Sequence, residues 1–135
     1  MTDDLKSKHI IINKIEDYPL LIGSKYVQSF IGTTYKDIRK LLLQGEKVLF
    51  SGTPCQVAGL YAFLKKRYVG QLFTVDLLCH GVPSPQIFKD YLNHLKSKHN
   101  ANVIDFKFRE KPGWHRYQVI AKFDDNKKDI SYKDT

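Results

Sequence analysis

The chain has 135 residues, 42% hydrophobic and 13% aromatic, with 22 basic against 14 acidic side chains for a formal charge of +8. That length can bury a real core, the composition excludes intrinsic disorder, and no apolar run approaches the roughly 20 residues of a helical membrane span. The positive charge is spread along the chain, with Lys65-Lys66-Arg67 its densest run, so it reads first as a solvated lysine-rich surface and second as a face for an acidic partner, nucleic acid being the weakest case.

Met1-Thr2-Asp3-Asp4 is acidic and lacks the apolar core of a secretory signal. With two cysteines in all, the expected setting is reducing and cytoplasmic, where thiols serve more often as ligands or reactive groups than as bridges. His9–Ile12 is a short β-branched run that predicts a strand. Ile15–Ile22 mixes polar and apolar residues around Pro19 and supports no assignment, and Gly23–Phe30 reads as a loop entering an extended piece. Gly32-Thr33-Thr34 offers a helix cap, with Asp37 three residues past Thr34 as a weak capping box. Tyr35, Ile38, Leu41 and Leu42 keep helical spacing, and Gly45 stops the helix.

Lys47–Phe50 predicts a short buried strand, and a helix over Cys55–Arg67 places Val57, Leu60, Tyr61 and Leu64 on one face. Leu72–Leu78 is a near-continuous apolar strand of the kind covered on both faces in parallel sheets. Strand, helix and strand in this span make a βαβ unit. Ser84 is an N-cap, Pro85 suits the first helical position, and Ile87, Phe88, Tyr91, Leu92 and Leu95 form the helix's buried stripe. Val103–Arg109 then alternates, with Ile104, Phe106 and Phe108 on one side and Asp105, Lys107 and Arg109 on the other. A turn at Lys111-Pro112-Gly113 and a second alternation through Tyr117, Val119, Ala121 and Phe123 complete a predicted β-hairpin, before a polar stretch from Asp124 to Thr135. The fold class is therefore α/β: a small, mostly parallel sheet built on a βαβ unit with flanking helices, plus a C-terminal hairpin.

The chemistry concentrates in two turns, Ser51-Gly52-Thr53-Pro54-Cys55-Gln56 and Cys79-His80-Gly81-Val82-Pro83-Ser84-Pro85. Each follows a predicted parallel strand and opens a helix, so both cysteines belong to the sheet's carboxyl edge, where open α/β sheets bind ligands. Cys55 is at a helix N-terminus, where backbone N–H groups and the helix dipole favour the thiolate that ligation or nucleophilic attack requires. Four readings stand side by side: two small buried residues without chemistry, a redox disulfide, a Cys55–His80 nucleophile pair, and shared ligation of a metal or iron–sulfur cluster. Cluster ligation usually takes four thiolates, so the other ligands would lie outside this chain. Ser51-Gly52-Thr53 offers anion-holding donors, yet no dinucleotide or P-loop glycine pattern is present. Lys25 and Tyr26 read as a flavin contact or as an ordinary loop pair. His94 and His99 read as solvated, and Trp114 as packing against the sheet.

Gly23-Ser24-Lys25-Tyr26-Val27-Gln28-Ser29, Phe50 through Leu60, and Thr74 through Pro85 together resemble, in order and spacing, the C-terminal domain of the coenzyme F-420 hydrogenase/dehydrogenase beta-subunit family. The resemblance covers nearly the whole chain and implies one partial domain over residues 1–135, truncated at both ends. It implies a flavoprotein with iron–sulfur clusters, in which FAD and a 4Fe-4S cluster exchange electrons and the hydride partner is a deazaflavin (coenzyme F-420) or similar. The implied cluster ligands are Cys55 and Cys79, joined in the family by a later C-x-x-C that this chain lacks. The implied flavin contacts are Lys25, Tyr26 and Ser29, with Ser51, Gly52, Thr53, Gln56, His80 and Gly81 also cofactor-binding. The implied partner is a redox protein such as a ferredoxin or a hydrogenase/dehydrogenase subunit. The alternative is a non-catalytic electron-relay or docking subunit.

Overall fold

The run from Thr34 to Asp76 folds as the sequence predicts, helix–strand–helix–strand, with shifted boundaries. In the computed structural model the described residues are 5–65, 68–113, 116–125 and 129–133. Met1-Thr2-Asp3-Asp4, Lys66, Arg67, Trp114 and the side chain of Tyr117 lie outside what is described. Two compact units are present: one takes Met1–Lys8, Ile12–Phe30 and Val82–Thr135, the other His9–Ile11 and Ile31–Gly81.

In the second unit, helix α1 (Thr34–Leu43) buries Ile38 and Leu42, one turn apart on one face. Its N-cap is Thr33 rather than Thr34, and the Thr33 hydroxyl donates to Asp37 Oδ2 at 2.7 Å. Strand β1 (Val48–Gly52) runs two residues past the expected end, carrying extended backbone into the first cysteine turn. Helix α2 (Pro54–Leu64) buries Val57, Leu60 and Leu64; it stops short of Arg67 because Lys65 adopts a left-handed φ of 54°. Strand β2 (Leu72–Asp76) pairs parallel with β1, from Val48 opposite Leu72 to Gly52 opposite Asp76. Ile38, Leu42, Phe50, Val57, Leu60 and Leu64 form one apolar core.

Two expectations fail here. The strand predicted through Leu78 ends at Asp76, and the Leu78 side chain is 98% exposed. Nor are both sheet faces covered: α1 and α2 pack on the Phe50 side, while Leu49, Phe73 and Val75 stay exposed among the described residues. The run His9–Ile12 is not a strand either. No neighbouring strand takes its backbone groups; His9 instead stacks on Phe50 (centroids 5.3 Å apart, planes at 17°), and Ile10 and Ile11 are exposed.

In the first unit, the unassigned Ile15–Ile22 segment is a 3₁₀ helix over Ile15–Leu21 with no buried residue. Helix α3 (Pro85–His99) starts as predicted: the Ser84 hydroxyl accepts from the Ile87 N–H at 3.4 Å. Leu95 is buried and Phe88 and Leu92 half-buried, but Ile87 is 61% exposed, since the aromatic cluster against this helix reaches no nearer its start than Phe88. His94 is exposed; His99 is not solvated as expected but packs on Phe123 at 5.1 Å, its buried Nε2 without a hydrogen-bond partner.

The predicted hairpin is present, as strand β3 (Val103–Gly113) antiparallel to β4 (Arg116–Phe123). Lys111-Pro112-Gly113, expected as the turn, is strand, with Gly113 paired to Arg116. A third strand, β5 (Asp129–Lys133), pairs with β4 inside the stretch read as polar tail. Leu5, Leu95, Ala101, Phe106, Ala121 and Phe123 make this unit's core. No helix among the described residues is long and apolar enough to cross a membrane.

Candidate functional site

The register of β1 and β2 places the two cysteines in equivalent positions. Gly52 pairs with Asp76 at the carboxyl ends of the strands, and each cysteine follows three residues later in chain order, Cys55 opening α2 and Cys79 in the second turn. Both thiols are free and both are exposed, which removes the reading of two buried, inert cysteines and leaves no disulfide in this structure.

Each sulfur has a polar neighbour supplied by its own turn. The Thr53 hydroxyl lies 3.1 Å from Cys55 Sγ. The Gly81 N–H donates to Cys79 Sγ at 3.4 Å; Gly81 adopts φ 100°, a conformation that L side chains rarely take, and this directs its N–H back to the sulfur. Contacts of this kind to ligating sulfur tune iron–sulfur potentials.

The Cys55 turn is braced from within. Gln56 Oε1 accepts from the Thr53 N–H at 3.0 Å, closing the capping box of α2. Tyr35 of α1 donates its hydroxyl to the Gln56 carbonyl at 2.6 Å. Its burial, and then the neighbouring Cys55, push the Tyr35 phenol up from its usual range. Tyr35 packs edge-on to Phe50 at 6.1 Å, and Phe50 carries the stacked His9 on another side. Gly52 is buried and Thr53 half-buried, while Ser51, His80 and Gly81 are exposed. Among the described residues no group of three or more His, Cys, Asp or Glu side chains could hold a metal ion. The chemistry present is two exposed thiols with hydrogen-bond donors beside them, which suits two of the four thiolates that an iron–sulfur cluster takes.

The Gly23–Ser29 candidates belong to the other unit. Lys25 is half-buried, and its ammonium donates to the Ile22 and Gly23 carbonyls, each at 3.0 Å, bracing its own loop. Tyr26 is 49% exposed and accepts from Arg109 Nη1 at 3.3 Å. A hydrogen bond from Ser24 and then Arg109 pull its phenol below the usual range. Ser29 is half-buried. Sequence reasoning assigned no site role to Tyr35, His9 or Arg109. The first two read as core-facing or strand residues, and the alternation of β3 put Arg109 on the solvent side, away from Phe108.

A family model described as coenzyme F420 hydrogenase/dehydrogenase, C terminus of the beta subunit, matches residues 45–135. That span contains both cysteine turns, α3 and the antiparallel sheet. No match was found among curated proteins or among solved structures.

Proposed function

Because the chain belongs to the family of C-terminal domains of the coenzyme F420 hydrogenase/dehydrogenase beta subunit, we propose that it is the flavin- and cluster-binding part of an oxidoreductase. In this reading Cys55 and Cys79 supply two thiolates to a 4Fe-4S cluster, and two more come from outside these 135 residues. Lys25, Tyr26 and Ser29 contribute to a site for FAD. Bound there, the flavin would carry hydride chemistry and the cluster single electrons. The hydride donor or acceptor is a deazaflavin or a similar carrier. A family of beta subunits works within a larger assembly, which favours a protein redox partner.

The observation that carries the proposal is the pair of exposed, free thiols at register-equivalent positions beyond β1 and β2. The chain's residues would divide the work as follows. The capping box of Thr53 and Gln56, with the Tyr35 hydroxyl behind it, fixes where Cys55 leaves the sheet. Gly81 does the same for Cys79 through its N–H. In the other unit, Lys25 holds the Ile22–Gly23 backbone so that Tyr26 is presented at the surface.

The test is anaerobic reconstitution of the chain with ferrous iron, sulfide and a small thiol standing in for the missing ligands. Broad visible charge-transfer absorption is expected in the wild type and should be lost in Cys55→Ser and in Cys79→Ser. A band that survives both substitutions would remove the cysteines as ligands. Titration with FAD, followed by flavin fluorescence, tests the other half, and a wild-type chain that binds no flavin refutes it.

A further inference from the structure

Strand β3 is longer than the strand it pairs with, and where its extra residues fall decides what reaches Tyr26. Three register shifts interrupt the β3–β4 ladder, and in each the extra residue is on β3. One lies between the pairs Lys107–Ile120 and Glu110–Gln118, so Phe108 and Arg109 together oppose the single residue Val119. In a regular strand these two neighbours would point to opposite faces. A bulge re-aims one of them, and bulges are over-represented beside functional sites.

Here both converge on one tyrosine. Phe108 meets the Tyr26 ring edge-on at 6.2 Å, while its other contacts, Phe88 at 5.2 Å and Phe106 at 4.7 Å, tie it to the aromatic cluster packed on the core. Arg109, next in sequence and exposed, donates Nη1 to the Tyr26 hydroxyl. Ser24 also hydrogen-bonds that hydroxyl, so the phenol oxygen serves as an acceptor and holds the guanidinium from one edge. A guanidinium carries five donors in a planar fork, and one bond to Tyr26 fixes its orientation while leaving the geometry that matches two phosphate oxygens. Lys25 does not fill that role, since its ammonium is turned onto the Ile22 and Gly23 carbonyls of its own loop.

We propose that Arg109 is the phosphate-binding arm of the Gly23–Ser29 site, held beside Tyr26 by the β3 bulge and recognising the phosphate ester of a flavin nucleotide. This rests on the flavin reading above and adds to it a residue from an element 83 positions away in the chain. It makes the site selective for a phosphorylated flavin over riboflavin.

The experiment is a fluorescence titration of the full chain with riboflavin, FMN and FAD, for wild type, Arg109→Ala, Arg109→Lys and Lys107→Gln. Loss of a charge-assisted, two-point phosphate contact should weaken FMN and FAD binding by about ten- to a hundredfold in Arg109→Ala. Riboflavin affinity should be unchanged, and Arg109→Lys should recover part of the loss. Lys107→Gln removes the same charge from the same strand and should leave all three affinities as they were. An equal loss for riboflavin and FMN would show Arg109 to be only structural and overturn the inference, as would an equal loss in Lys107→Gln. Wild-type binding of all three flavins with no preference for the phosphorylated ones overturns it while leaving the flavin reading intact; binding of none overturns both.

Discussion

Replacing Gly59 with alanine should be neutral or destabilising in the wild type and stabilising once Tyr35 has lost its hydroxyl. Gly59 is inside α2, where alanine in place of glycine is worth about 1 kcal/mol. A Cβ at position 59, however, would come 3.0 Å from the Tyr35 hydroxyl oxygen and 3.5 and 3.6 Å from two ring carbons. The ring carbons are at ordinary contact distance; the hydroxyl is the obstacle, and its 2.6 Å bond to the Gln56 carbonyl keeps it from yielding. Moving it would weaken a bond worth about 1 kcal/mol, with about 1–3 kcal/mol more if the carbonyl is left buried and unpaired. That cancels or exceeds the helix gain. In Tyr35→Phe the obstacle is gone, and Gly59→Ala should recover about 1 kcal/mol. The assay is urea denaturation followed by far-ultraviolet circular dichroism on the wild type, both single variants and the double variant. The coupling should be at least about 1 kcal/mol, whereas effects that add to within about 0.3–0.5 kcal/mol would refute the contact.

Burial holds the His9 imidazole below its usual range, partly offset by a hydrogen bond to the Ser51 backbone, so the folded state resists its protonation. The unfolded chain therefore binds the extra proton first: stability should be full above about pH 6.5, fall as pH drops through that value, and level off below the folded pKa. His9→Phe, which keeps the stack on Phe50, should flatten that slope in urea midpoints measured across the range; an unchanged slope would place the titrating group elsewhere. In α3, Leu95→Ala should cost about 2–5 kcal/mol because Leu95 is 1% exposed. Ile87→Ala, at a 61% exposed position, should stay within about 0.5 kcal/mol. Equal losses in chemical denaturation would mean that the helix packs on a different face.

The start of α3 was legible because Ser84 and Pro85 state a local rule that needs no tertiary partner. The βαβ unit was legible for a similar reason: two apolar runs, each flowing into a turn and a helix, leave few topologies. The uncovered face of β1 and β2 was not, since Leu49, Phe73 and Val75 have the composition of buried residues and nothing in their spacing reports what covers them. His9–Ile12 misled in the same way, its β-branched residues promising a strand that has no neighbour to pair with. In β3 the alternation marks a strand correctly, but a bulge is one extra residue with no compositional mark, so nothing in the spacing puts Arg109 beside Tyr26. The β5 strand had a signal, the alternating Asp129-Ile130-Ser131-Tyr132-Lys133, too short to stand out in a polar stretch. At the candidate site, the cysteines and their turns could be found from residue type and spacing. Tyr35 could not, because its bond to the Gln56 carbonyl spans 21 positions.

The path of the chain between the two units bears on how the protein is made. Leu5 belongs to a core whose other members run from Leu95 to Phe123, while His9–Ile11 and Ile31–Gly81 make up the other unit. A ribosome adding about 5–20 residues per second delivers Leu95 roughly 5–20 seconds after Leu5. Every residue of the cysteine-bearing unit has been synthesised before then, so it can close first, with the amino-terminal segment held in waiting. The order also forbids a simple dissection: no single cut in the chain releases either unit whole, and complementation by two separately expressed halves would have to rebuild both at once.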